Sequence, residues 1–173
     1  MSRYPSPKEC IDLLKKAGCS NEVIYHCIAV HDIAVKMATK ANADVELVES
    51  ASLLHDIGRS KTHGITHVLE GVKIGKKLDF PVKIIRIIEC HIGAGLKAEE
   101  AKKLGLPARD YIPKTLEEKI VCHADNLVEN CKKQNIEVEV ERALRKGHKE
   151  YARRLVILHK ELSKICGIDV NHI

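Results

Sequence analysis

The stretch ASLLHDIGRSK, Ala51 to Lys61, places an adjacent His55 and Asp56 at the end of an apolar helical run. Upstream, Val45, Val48, Ala51 and Leu54 recur at helical spacing. The segment therefore reads as a core-facing helix with Asp44 near its start and Gly58 as its stop. The pair sits where core and helix end meet. A helix C-terminus carries partial negative charge, so an imidazole beside a carboxylate there offers a divalent cation ligand atoms in a favourable field. His26, His67, His91 and Asp125 lie on separate expected helices and could close on the same point.

Composition sets the frame for this stretch. A chain of 173 residues, 45% hydrophobic and 31% charged, suits one domain, residues 1–173, with a sizeable core. No apolar run reaches membrane-spanning length, and the N-terminal MSRYPSPKEC lacks the hydrophobic stretch of a signal peptide. A soluble, cytoplasmic protein without membrane association is expected. The seven cysteines are scattered and form no CxxC pair, which predicts buried, reduced thiols and argues against a disulfide framework or thiolate zinc site. The net charge of +5 suits anionic small molecules as well as nucleic acid. Nucleic acid is the weaker reading, because one Phe, four Tyr and no Trp leave little for base stacking and no dense Lys/Arg block stands out.

Outward from the central stretch, the chain reads as helices. Ser6, Pro7 and Glu9 open the first, which Gly18 closes. Ser20 or Asn21 caps a second to about Lys40, with an apolar stripe through Val23, Cys27, Val30, Ala34 and Met37. A polar turn leads to a fourth, about Thr66 to Leu78. Pro81 starts VKIIRIIECH, whose β-branched content also suits a strand; the spacing of Ile84, Ile88 and His91 and the lack of a partner strand favour helix. From Gly93 to Lys114 the chain is irregular, with a short helix near Ala98 to Leu104, and loops of this length are often functional. Thr115 and Glu118 open a helix to about Asn130 that carries Asp125. A long last helix, about 137–166, follows from the stripe Val140, Leu144, Tyr151, Leu155, Leu158, Leu162 and Ile165. The fold class is all-α, a bundle of about six to eight helices.

Each candidate ligand lies on an apolar face: His26 with Val30, Ile33 and Met37, His91 with Ile84 and Ile88, and Asp125 with Val121 and Val128. A lone histidine on such a face is more often a hydrogen-bonded core residue. Several imidazoles and two carboxylates turned into one small core are costly to desolvate without a shared partner, and a metal ion supplies one.

These residues carry a resemblance. The order His26, then His55-Asp56 in LLHDIGR, then Asp125 in HADNL resembles the H…HD…D signature of the HD superfamily of metal-dependent phosphohydrolases, in the subgroup whose central motif reads HDIG. The 29-residue step from His26 to His55 and the HxxxVxxxA pattern of His26, Val30 and Ala34 agree with it. His67 in HVLEGVKI and His91 in IIECHIG are similar to the extra histidines of members holding two metals. The motif core runs from about residue 25 to residue 128.

The resemblance implies an HD-type helical domain. It implies a first metal on His26, His55, Asp56 and Asp125, and a second on His67 and His91 with Asp56 bridging. The choice of His26 over His31 in the neighbouring His31-Asp32 pair comes from the resemblance, since periodicity turns either inward. Nitrogen and oxygen donors without thiolate favour Mn, Fe, Co, Ni or Mg over a closed structural zinc, one or two ions per chain. The implied activity is phosphomonoester or phosphodiester hydrolysis by metal-activated hydroxide, on a nucleotide or related small phosphate ester. Arg59 and Lys61 are the first candidates to hold the anion, with Lys97, Arg109 and Lys114 behind them. His63, a loop residue, is a candidate proton donor or substrate contact, whereas His123, on the face of Lys119 and Asn126, is expected to be exposed. Two other readings stay open. One is a di-iron oxygenase of the myo-inositol oxygenase type, on the same scaffold and six-ligand pattern; the other is a non-catalytic, metal-stabilised binding module.

Overall fold

The computed structural model describes residues 4–173, so the first three residues of the N-terminal stretch read above lie outside the described residues. Nine α-helices are found among the described residues: α1 Pro7–Ala17, α2 Asn21–Ala41, α3 Val45–Leu54, α4 His67–Lys77, α5 Val82–Cys90, α6 Ala98–Lys103, α7 Leu116–Asn126, α8 Ile136–Arg145 and α9 Lys149–Cys166. The all-α expectation holds. Capping chemistry sets several starts. Ser6 and Thr115 accept from the backbone N–H groups of Glu9 and Glu118 in capping boxes, while Ser20 accepts from Val23 N and Asp44 from Leu47 N.

Helices α2, α3, α5 and α7 share one core that includes Cys27, Val30, Val48, Leu54, Ile84, Ile88, Ile120 and Val121. VKIIRIIECH is a helix, with Ile84, Ile87 and Ile88 buried on one face. None of the described helices is long and apolar enough to cross a membrane.

The structure corrects four local expectations. Where one helix over about 137–166 is expected, α8 and α9 form an antiparallel hairpin broken at Gly147, whose φ of +78° a side-chain-bearing residue adopts only with strain. Gly58 does not stop α3, which ends at Leu54; Gly58 sits inside a 3-10 turn, Ile57–Ser60. Helix α7 ends at Asn126 rather than near 130, and a short hairpin of β1 Val128–Glu129 and β2 Lys132–Lys133 follows. Asn130 and Cys131 turn that hairpin with positive φ. The cysteines are all free among the described residues, but Cys131 is exposed and Cys19 half-buried, contrary to the expectation of uniformly buried thiols.

Candidate metal centre

Four helix ends and one long helix bring the candidate ligands together. His55 is the C-terminal cap of α3, Asp56 follows it, His91 caps the C-terminus of α5 and His67 is the first residue of α4. His26 comes from the second turn of α2, and Asp125 from the last turn of α7.

The 3-10 turn after Asp56 brings α4 close. A Cβ on Gly58 would lie 1.8 Å from the His67 carbonyl oxygen and 2.5 Å from Gly71 N, so only glycine lets the turn and the helix touch. Gly71 completes this contact. A Cβ there would meet the Ile88 side chain at 2.6 Å and the turn at 3.5 Å, so glycine seats α4 against both the turn and α5.

A common device orients three of the imidazoles. His55 Nδ1 lies 2.6 Å from Ser52 O, His67 Nδ1 2.9 Å from Gly64 O and His91 Nδ1 2.8 Å from Ile88 O. In each case the Nδ1–H donates to the carbonyl three residues back and leaves Nε2 as the ligand atom, as histidines in metal sites are commonly held.

The Nε2 atoms then divide between the two oxygens of Asp56. Oδ2 lies 3.7 Å from His26 Nε2 and 3.6 Å from His55 Nε2, with Asp125 Oδ1 2.9 Å from His26 Nε2 and 3.6 Å from His55 Nε2. Oδ1 lies 3.1 Å from His67 Nε2 and 3.4 Å from His91 Nε2, and these two nitrogens are 3.1 Å apart. Asp56 therefore stands between a group of His26, His55 and Asp125 and a group of His67 and His91. His31 is outside the cluster and pairs with its neighbour Asp32.

The residues fit a divalent cation. His55 Nε2 and Asp56 Oδ1 are buried without a well-formed hydrogen bond, although buried polar atoms are normally satisfied. Ligand atoms of His26, His55 and Asp125 cluster tightly enough to hold one ion, as do those of His55, Asp56 and His91. The electrostatics agree. Burial opposes ionisation of Asp56, but His55, His67 and His91 outweigh it and hold its carboxyl well below the usual range. Burial also opposes ionisation of Asp125, and the hydrogen bond from His26 together with the nearby His55 imidazole lowers it all the same. Burial opposes a proton on His55, yet Asp56 raises its pKa, whereas burial keeps His91 low. Two carboxylates held in their ionised form thus face a set of imidazole nitrogens, an arrangement a cation completes.

Two cavities border the centre. The wider, about 540 Å³, reaches His26 and Asp56 and is walled by Ser20, Glu22, Val23, Asn130 and Cys131. The narrower, about 290 Å³, reaches His67 and His91 and is walled by Gly64, Ile65, Ile92 and Gly93. Arg59, His63 and Asp125 line both.

Arg59 donates through Nε to Asp56 Oδ2 at 2.6 Å and through its guanidinium to His63 O, so the expected anion-holding residue is present and oriented. The other basic candidates line neither cavity. Lys61 is exposed after the 3-10 turn, Lys97 and Lys114 are exposed at helix starts where their backbone N–H groups bond Glu100 and Glu118, and Arg109 is drawn to Glu89. His123 is buried rather than exposed, because α9 covers that face of α7. Its Nε2 lies 2.9 Å from His159 Nδ1, and His159 Nε2 lies 3.0 Å from Asp169.

Sequence reasoning missed two groups. Ser20 read only as a helix cap and Glu22 carried no motif, and Asn130 and Cys131 carry no strand pattern that marks a hairpin. Asn126 read as part of a helix face, but its side chain donates to Gly93 O and Cys122 O, fastening α7 to the loop after His91.

The HD domain family profile matches residues 23–130, which include all six candidate ligands. The chain belongs to the HD domain family. This HD chain is 44% identical to a tRNA (cytidine(56)-2'-O)-methyltransferase of Thermoplasma volcanium over 98% of its own length and 50% of that protein. The chain thus spans about half the length of that curated relative. It is 43% identical to an uncharacterized protein of Methanocaldococcus jannaschii, over 91% of this chain and 97% of that one. Its fold matches the HD domain of the L. monocytogenes phosphodiesterase PgpH, solved in complex with cyclic-di-AMP, with a TM-score of 0.56 and 20% identity over 89% of this chain and 96% of the other.

Proposed function

We propose that this HD domain is a metal-dependent phosphohydrolase acting on a nucleotide or related small phosphate ester. The observation that carries the reading is Asp56, whose two oxygens face two separate histidine groups while Asp56 Oδ1 and His55 Nε2 lack hydrogen-bond partners in the core. His26, His55, Asp56 and Asp125 would hold one divalent ion, and His67, His91 and Asp56 a second. Such ions, when bound, supply Lewis acidity toward phosphoryl oxygens and lower the pKa of the attacking water.

The chain's own residues do the rest. Arg59, fixed by Asp56 and the His63 carbonyl, presents its guanidinium to both cavities and would hold a phosphoryl oxygen. His63 is exposed, lines both cavities and is free of the cluster, which suits it to hand a proton to a leaving oxygen. The donor set is suited to hydrolysis and carries nothing that marks methyl transfer, so the methyltransferase name of a relative finds no counterpart among these six residues. That relative's name does keep RNA open as a source of phosphate ester.

The test is anaerobic purification with metal analysis, followed by phosphatase and phosphodiesterase panels with Mn, Fe, Co, Ni and Mg. Phosphate-ester hydrolysis that requires metal supports the reading. Oxygen consumption with substrate would support the oxygenase instead, and ligand binding without product at every metal composition would support a binding module.

A further inference from the structure

We infer that the exposed face of α9 is a docking surface for the phosphate backbone of double-stranded RNA. Lys149, Arg153, Lys160 and Lys164 follow one another at steps of four, seven and four residues, so no block of charge shows in the sequence. On a helix that turns about 100° per residue, these steps bring all four within about 60° of one another, in a row about 22 Å long. All four are exposed, while Leu155, Leu158 and Leu162 bury the opposite face of the helix. The turn at Gly147 adds exposed Arg145 and Lys146 at the start of the row.

The charges of the row are open to a ligand. Lys149, Lys160 and Lys164 have no acidic partner among the described residues, and Arg153 reaches only Glu150, at 3.7 Å and with both side chains in solvent. Such a surface pair contributes little and exchanges readily. The acids of α9 are Glu150 and Glu161; both lie to one side of the row, and Lys119 already holds Glu161 at 2.7 Å. On a chain whose net charge is +5, four unopposed cations on one helix face make a concentrated local field.

Geometry selects the partner. Lys and Arg in a straight row suit phosphate oxygens, which take half or more of the contacts in protein–DNA complexes, whereas protein interfaces are depleted in Lys. The row carries no aromatic ring to stack on a base, since Tyr151, the one Phe, Tyr or Trp of α9, is turned inward against Gly93. Contact is therefore to the backbone. Because α9 is half sunk in the core, it cannot lie within a B-form major groove, where a helix reads base edges; its ridge instead meets the phosphates beside the wide, shallow minor groove of A-form RNA. An anionic membrane would need a broad apolar face beside the charges, and α9 exposes Ile157 and Ile165 as its large hydrophobics. Tyr151 also fixes where the row begins. Its ring meets Gly93 at the wall of the narrower cavity, which sets Lys149 about one helix width, or 10 Å, from the metal centre's opening. The row holds none of the six candidate ligands, so the inference does not depend on the phosphohydrolase reading.

The experiment measures binding of the full, metal-free chain to a fluorescein-labelled short RNA duplex by fluorescence anisotropy, from about 50 to about 200 mM KCl. Four phosphate contacts predict a slope of log K against log salt of about −3 to −4, a loss of about a hundredfold over that range. Arg153→Glu with Lys160→Glu should weaken binding at least tenfold and take about two from the slope. Lys8→Glu with Lys15→Glu on α1, the same change of charge, should weaken it less than threefold. Melting followed by circular dichroism checks that both variants fold, and Lys149→Gln with Lys164→Gln repeats the test with a smaller change of charge.

Equal losses in the row and α1 variants overturn the inference, as does absence of RNA binding at the lowest salt. So does equal or tighter binding to a DNA duplex of the same sequence, or tighter binding to phosphatidylserine vesicles. Each of these outcomes leaves the phosphohydrolase reading standing, and a chain that binds RNA through the row yet hydrolyses no phosphate ester strikes that reading alone.

Discussion

His26 and Asp125 are 99 residues apart in the chain and meet at 2.9 Å, Nε2 to Oδ1. The contact joins the second turn of α2 to the last turn of α7, and His55, on a third helix, lies 3.6 Å from the same Asp125 oxygen. Three elements thus converge on one point that none of them encloses alone.

Asp56 is the residue on which both halves of the centre depend. Asp56→Ala should abolish metal binding and reduce turnover by at least a hundredfold while helical content, read by circular dichroism, stays near wild type. Full activity in that variant would sink the hydrolase reading.

His26 and His31 separate the ligand from its decoy. Five residues on a helix turn the two side chains about 140° apart, and in the fold His31 pairs with Asp32 instead. His26→Ala should lose metal, and His31→Ala should keep it, as metal analysis of the purified proteins will show. Loss of metal only in His31→Ala would contradict the geometry.

Metal counting tests the second group. Wild type should approach two ions per chain after reconstitution, and His67→Ala and His91→Ala should each fall towards one with hydrolysis strongly reduced. A wild type that saturates at one, with both variants retaining it, would rule out the dinuclear site.

Gly58→Ala places a methyl group against the His67 carbonyl oxygen. Over-packing of this kind costs about 1–3 kcal/mol and occasionally more. The variant should melt earlier and bind metal more weakly, since the same contact positions His67. Thermal unfolding indistinguishable from wild type would show that the turn can move away without cost.

Acid stability follows from His123. Burial, with His159 adding to it, lowers its pKa from 6.5 to about 3. Between those values the unfolded chain binds the proton and the folded chain does not, so stability is present above about 6.5 and is lost as pH falls towards 3. His123→Phe should flatten this part of the pH dependence, measured by urea unfolding of the metal-free protein from pH 7 to pH 4. An unchanged slope would assign the acid sensitivity to other groups.

The sequence by itself determined the all-α class and the starts of most helices, and it named the six His and Asp residues that the fold brings together. Caps such as Ser6, Ser20, Asp44 and Thr115 act within one turn, and apolar periodicity at Val45 to Leu54 or Ile84 to Ile88 reports the buried face directly. Both are local physics. Only the tertiary structure decided which basic residues face the centre, since Arg59 and Lys61 are two positions apart and only Arg59 reaches Asp56. It also decided that His123 is buried, because its cover comes from α9, and that Gly58 is a contact rather than a stop, because the atom it accommodates belongs to His67. The division of the histidines between the two oxygens of Asp56 has the same origin. Such facts depend on distances between elements remote in sequence, which packing sets and local spacing does not encode.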